Sequence, residues 1–120
     1  MTQTAKDLVV AAKKRIKEVT LEEAQTVIQS SLVLDVREPA EYAAGALPNA
    51  INIPRGVLEF KISDHPRFKG QQDEAILLYC KTGGRAALAT EALMTIGFTK
   101  VVSLEGGFDA WQQSGAEVVS

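Results

Sequence analysis

The chain has one cysteine and one histidine among its 120 residues, and that shortage excludes much chemistry at once. A single cysteine forbids an intrachain disulfide, and one cysteine with one histidine cannot assemble a zinc site of the usual Cys/His kind. Excess charge is also lacking: 13 Lys and Arg against 15 Asp and Glu leave a net charge of −2 and a pI of about 5.4. No general basic field therefore exists to hold nucleic acid or an anionic membrane, and any affinity for anions must be local. No apolar run approaches the roughly 18 residues that a membrane span needs, and the opening M-T-Q-T-A-K-D has no charged-then-apolar signal pattern. The expectation is a cytoplasmic chain in a reducing compartment, working without metal or cofactor. With 46% hydrophobic residues, 120 residues make one domain with a single sizeable core.

What is there centres on that lone cysteine, in Tyr79-Cys80-Lys81-Thr82-Gly83-Gly84-Arg85-Ala86. Ala75 to Tyr79 is a short apolar run of buried-strand type. Ala86 to Ile96 carries helix formers with apolar residues at helical spacing. Cys80 thus sits where a strand ends and a helix begins. Unpaired N–H groups of a Gly-containing turn and of a first helical turn converge on an anion, and the helix dipole adds to their effect. Such placement lowers a thiol pKa from about 8.5 toward roughly 3.5–7.5, and the thiolate is the nucleophile. Lys81 and Arg85 add two cations to the loop, and Gly83 and Gly84 permit its curvature.

Along the chain, Thr4 to Val19 reads as an amphipathic helix appended to the core over residues 1–19, its basic residues forming a solvated face. The core domain is expected over 20–120. Thr20 and Glu23 form a capping box opening a helix to about Gln29. Leu32 to Val36 is a strand, Ala40 to Ala44 a short helix after Pro39, and Ile51 to Ile53 a strand. Pro54 opens a helix to about Ile62, and Ser63 to Glu74 is the longest loop. Lys100 to Leu104 is a further strand before a helix carrying Trp111. Strands alternating with helices predict an α/β layered fold with a mainly parallel sheet, whose ligands bind at the carboxyl ends of the strands.

Four blocks, L-D-V-R-E-P-A-E-Y-A-A-G at 34–45, P-N-A-I-N-I-P at 48–54, C-K-T-G-G-R at 80–85 and L-E-G-G-F-D-A-W at 104–111, resemble the single-domain rhodanese-like sulfurtransferases, in that family's order. The resemblance covers roughly Thr20 to the carboxyl end. It implies a three-layer fold with a central sheet flanked by helices, and a thiosulfate sulfurtransferase activity. In that scheme Cys80 takes sulfane sulfur from a donor such as thiosulfate. It carries the sulfur as a persulfide and passes it to cyanide or a thiol. Lys81, Thr82, Gly83, Gly84 and Arg85 would bind the substrate, and a protein could serve as sulfur donor or acceptor. The family often has His where this chain has Ala46, a departure expected to change local packing rather than activity.

Two rival functions share these features. Phosphatases or arsenate reductases of this fold place five residues between Cys and Arg, whereas Cys80 and Arg85 are separated by four. A non-catalytic binding or sensor module often lacks the cysteine or the loop cations, and this chain has both. Asp35 and Arg37, two apart on a strand, share a side; they are read as an ion pair fixing the loop after the strand, with a place in the pocket as the alternative. Arg55 is a candidate for the pocket, His65 a surface residue, and Phe108 and Trp111 core anchors. Glu38, Glu41 and Glu105 show no paired-carboxylate spacing.

Overall fold

The computed structural model describes residues 2–120. Five parallel strands form one sheet: β1 (Glu18–Val19), β2 (Leu32–Asp35), β3 (Ala50–Asn52), β4 (Ile76–Tyr79) and β5 (Val101–Leu104), in the order β1-β5-β4-β2-β3. Among the described residues six α-helices accompany them: α1 (Ala5–Lys13), α2 (Leu21–Val27), α3 (Pro39–Ala44), α4 (Leu58–Lys61), α5 (Gly84–Thr95) and α6 (Gly107–Gln113). The central strand β4 is apolar at every position because both of its faces are covered, the usual state of a parallel strand. Alternation along it separates two cores. Ile76, Leu78 and Cys80 face Leu58 of α4 and Ala86, Ala89 and Leu93 of α5; Leu77 and Tyr79 face Ala24 of α2 and Phe108 and Trp111 of α6. This is the layered α/β fold that the sequence predicts.

The strand order also locates the site. From β2 the chain moves outward to β3, and from β4 it moves the other way to β5, so the direction of winding reverses between β2 and β4. The crevice at the carboxyl ends of two such strands is where open parallel sheets bind ligands. Asp35 ends β2 and Cys80 follows β4 there.

Three sequence expectations need correction in extent. The helix expected over 4–19 ends at Lys13, and Glu18–Val19 pair in parallel with Ser103 and Leu104 as an edge strand. Pairing with β5 outweighs local helix propensity there, and α1 lies against α5 with Ala12 fully buried. Residues 1–19 thus contribute a strand to the sheet as well as a helix. The helix after Pro54 is broken, a 3₁₀ turn at Arg55–Val57, α4, and a second 3₁₀ turn at Ile62–Asp64. The Thr20/Glu23 capping box is present, but α2 stops at Val27 before a 3₁₀ turn.

Candidate active site

Cys80 leaves β4 with its side chain toward α5 and is only 1% exposed. Its Sγ accepts a hydrogen bond from the Gly83 N–H at 3.0 Å. Gly83 is the N-cap of α5 and holds φ at +122°, a backbone conformation that side chains resist. The loop's carbonyls are drawn the other way. Phe108 N–H donates to the Cys80 carbonyl at 2.8 Å and Asp109 N–H to the Lys81 carbonyl at 3.0 Å. Because a trans peptide sets its N–H opposite its C=O, those bonds turn the Lys81 and Thr82 N–H groups away from α6. The first turn of α6 therefore helps to fix the backbone of the loop that carries Cys80.

That contact explains a glycine. A Cβ on Gly107, which sits at φ +60°, would lie 2.6 Å from both the Cys80 and Lys81 carbonyl oxygens. Gly107→Ala is expected to destabilise by more than the ~1 kcal/mol that a left-handed alanine costs by itself, because α6 must also withdraw from the loop. Chemical unfolding measures the first effect. A slower alkylation of Cys80 in the folded variant measures the second.

Both loop cations have carboxylate partners. Arg85 forms a two-pronged pair with Glu41 of α3, Nη1 to Oε1 at 2.7 Å and Nη2 to Oε2 at 3.0 Å. The hydrogen bonds from Arg85 hold the Glu41 carboxyl down at about 2. Hydrogen bonding to Glu41 raises Arg85 in turn, with Cys80 and Glu38 acting in the same direction. Lys81 lies 3.5 Å from the Asp109 carboxylate, and both side chains are substantially exposed.

Asp35 and Arg37 form a buried cluster behind the loop. The Asp35 carboxylate accepts from Arg37 Nη2 at 2.7 Å, from the Arg37 backbone N–H at 2.8 Å and from the Tyr79 hydroxyl at 2.7 Å. Arg37 Nη2 also donates to the Gly45 carbonyl at 2.7 Å, and its guanidinium stacks 4.3 Å from the centre of the Phe108 ring. Burial, with Asp35 beside it, pushes the Tyr79 phenol well up, so it stays a neutral donor. Burial opposes the Arg37 charge, but Asp35 outweighs it and the guanidinium holds its proton more firmly than usual. The cluster ties β2 to β4 and, through Phe108, to the α6 turn that holds the Cys80 carbonyl.

With this arrangement in view, comparison with known proteins gives a direct answer: the pattern described as "Rhodanese-like domain" matches residues 19–114. The chain belongs to the rhodanese-like family. A "Sulfurtransferase" of Allochromatium vinosum is 34% identical over 89 residues, covering 74% of this chain and 78% of that protein. The "Thiosulfate sulfurtransferase 16, chloroplastic" of Arabidopsis thaliana is 38% identical over 91 residues, covering 68% of this chain and 74% of that one. Among solved structures, a Rhodopseudomonas palustris protein described as of unknown function and a possible tyrosine phosphatase superposes with a TM-score of 0.88 at 30% identity. It covers 99% of this chain, and this chain covers 96% of it.

The remaining candidates in this rhodanese-like chain lie apart from the cysteine loop. Arg55 pairs with Glu59 at 2.8 Å and lines a groove between α1 and α5 with Leu8, Ala11, Arg15 and Leu88, to which no residue of 80–85 contributes. His65 accepts from the Arg67 N–H in the long loop and stands beside Phe68. Ala46 is buried and bridges to Val119 in the carboxyl-terminal tail. Two neighbours of the loop escape sequence reasoning. Glu41 has a local signal only as the partner of Glu38 in a capping box, which says nothing of Arg85 44 residues away. Lys13, read as part of a solvated face, places its ammonium 3.9 Å from where a Gly83 Cβ would stand and 3.7 Å from Glu18 Oε2.

Proposed function

We propose that this rhodanese-like chain is a sulfurtransferase that carries sulfane sulfur as a Cys80 persulfide, taking it from a donor such as thiosulfate and passing it to cyanide or a thiol. The observation that carries the reading is the Cys80 Sγ at the head of α5, bonded by the Gly83 N–H and surrounded by a loop whose carbonyls are held by α6. In the first half-reaction the thiolate attacks the outer sulfur of thiosulfate. A new S–S bond forms on Cys80, the donor S–S bond breaks and sulfite leaves with the electron pair. In the second half the acceptor attacks the outer sulfur of the persulfide and the Cys80 thiolate returns. Splitting one transfer into two displacements is the ordinary gain of a covalent nucleophile, and fixed N–H donors stabilise the sulfur anion in both.

The cycle uses no cofactor, and it suits a reducing cytoplasm in which the thiol stays free. Lys81 to Arg85 form the rim that the donor meets. Partners are then small sulfur donors and acceptors, with a persulfide-bearing protein as a further source or recipient.

The possible tyrosine phosphatase among the structural neighbours raises a second reading, phosphoryl transfer on Cys80. The four-residue interval between Cys80 and Arg85 and the engagement of Arg85 by Glu41 argue against it. Purified protein incubated with a sulfane donor is expected to gain the mass of one sulfur atom on Cys80, and to lose it to cyanide. No gain from any sulfane donor, together with turnover of p-nitrophenyl phosphate, would replace sulfur transfer by phosphoryl transfer.

A further inference from the structure

The edge of the sheet opposite Cys80 carries a groove that the sulfur reaction does not use. It lies at the amino ends of β4 and β5, separated from Cys80 by the length of β4, about 13 Å. Its volume is about 780 Å³, within the range of small-ligand sites. The walls are apolar: Ile16, Phe98 and Val102 line it, and Met94 near the end of α5 stands 42% exposed beside them. Its charges are of one sign. Arg15, Lys17 and Lys100 line the groove and no carboxylate does, in a chain whose net charge is −2. Arg15 is taken by Glu91 of α5. Lys17 and Lys100 make no ion pair among the described residues. Glu23 of α2 lies within range of the Lys17 charge but is tied to the Thr20 N-cap, and Asp73 accepts from the Thr99 hydroxyl at 2.8 Å.

The backbone leaves a second opening in the same wall. Ser103 N–H donates to the Lys17 carbonyl at 3.0 Å and Glu105 N–H to the Val19 carbonyl at 2.9 Å, so alternate residues of β5 point toward β1. Val101 belongs to that series. Its N–H and C=O point the same way, but β1 pairs only from Glu18, opposite Ser103, and nothing among the described residues bonds them. Val101 lines the groove and is 6% exposed, so an apolar wall holds a free N–H donor, which buried backbone rarely tolerates. The geometry points to a binding site for a straight-chain fatty carboxylate. Its tail lies along Ile16, Met94, Phe98 and Val102. Its carboxylate sits at Lys17 and Lys100 and accepts from the Val101 N–H, one residue on from Lys100. A compact anion gains nothing from the apolar walls, and an uncharged chain leaves the two ammoniums without a counter-ion. Both halves of the ligand are thus required by the groove.

The test titrates the full chain, labelled at its methionine methyl groups, with decanoate and with decanol, followed by NMR. The Met94 methyl signal is expected to shift and to saturate below about 1 mM decanoate. Hexanoate, four methylenes shorter, should bind about tenfold or more weakly. Decanol carries the same tail and leaves water more readily, so a groove that is only apolar prefers the alcohol. A preference of about threefold or more for decanoate is expected here, the worth of exposed charge pairs. Lys17→Gln/Lys100→Gln should weaken decanoate roughly threefold to tenfold and leave both decanol binding and sulfur loading of Cys80 unchanged. Equal or better binding of decanol, no shift of Met94, or undiminished decanoate binding by the double variant overturns the assignment. So does tighter binding of an acidic, apolar peptide than of decanoate, which gives the groove to a protein segment.

Discussion

Cys80→Ser is expected to lower sulfur transfer by at least about a thousandfold while leaving the fold in place, a loss of roughly 4 kcal/mol of transition-state stabilisation. The reason lies in what the loop can and cannot do. A thiol reacts through its thiolate, and the backbone donor at the head of α5 already points at the sulfur that would carry that charge. The same donor cannot ionise an alkyl hydroxyl at neutral pH, and no histidine stands by to take its proton, since the only histidine is committed to the 65–68 turn. The substitution is nearly isosteric. A serine hydroxyl in place of Sγ can accept the Gly83 N–H that now binds sulfur, so the buried position keeps its partner and stability should change by no more than about 1 kcal/mol. Sulfur loading followed by mass, with unfolding curves of both proteins, separates loss of chemistry from loss of structure. Residual transfer within tenfold of wild type would remove Cys80 from the reaction.

Much of this arrangement is legible in the chain because local signals and burial agree. Leu32 to Asp35, Ile76 to Tyr79 and Val101 to Leu104 are short apolar runs, and each is a strand of the parallel sheet. The strand-to-helix position of Cys80 follows from where the apolar run of β4 stops and the alanine-rich pattern of α5 starts. The edge strand β1 is different. Glu18 and Val19 have no strand pattern of their own, and they become a strand only because the β5 backbone has a free edge to bond. Periodicity cannot report an element whose reason for existing lies 85 residues away.

The electrostatics of the site are hidden in the same way. Spacing places Lys81 and Arg85 on the loop, but it cannot say that Glu41 and Asp109 will be folded against them. Nor can it bring Lys13 from α1 to the back of Gly83. Asp35 and Arg37 lie close enough in sequence to suggest a pair, yet the third member, Tyr79, arrives from the neighbouring strand 44 residues later. The chemistry of the cysteine is thus written locally, while the charge that tunes it is a product of tertiary contact.

That buried cluster carries the largest expected effect on stability. Asp35→Ala is expected to cost about 3–5 kcal/mol, because the Arg37 guanidinium is left in the interior without its counter-ion. Arg37 is 3% exposed and Asp35 fully buried. After truncation the guanidinium keeps only the Gly45 carbonyl and the faces of Phe108 and Tyr79, and the Tyr79 hydroxyl loses the acceptor it now has at 2.7 Å. Such a cost is a large share of the ~5–15 kcal/mol by which a domain is stable. The double variant Asp35→Ala/Arg37→Met tests the cause: with no charge to bury, most of the lost stability should return, because a buried pair is worth little over an apolar replacement of similar size. Urea midpoints of the two single variants and the double give the coupling directly. A single-variant cost below about 1 kcal/mol would mean that Arg37 reaches water when Asp35 is gone, and the cluster would then be no brace. If the cost is as expected, sulfur loading in the folded fraction of Asp35→Ala should also slow. Arg37 then no longer fixes Phe108, and the Phe108 N–H is one of the two donors that hold the carbonyls of the Cys80 loop.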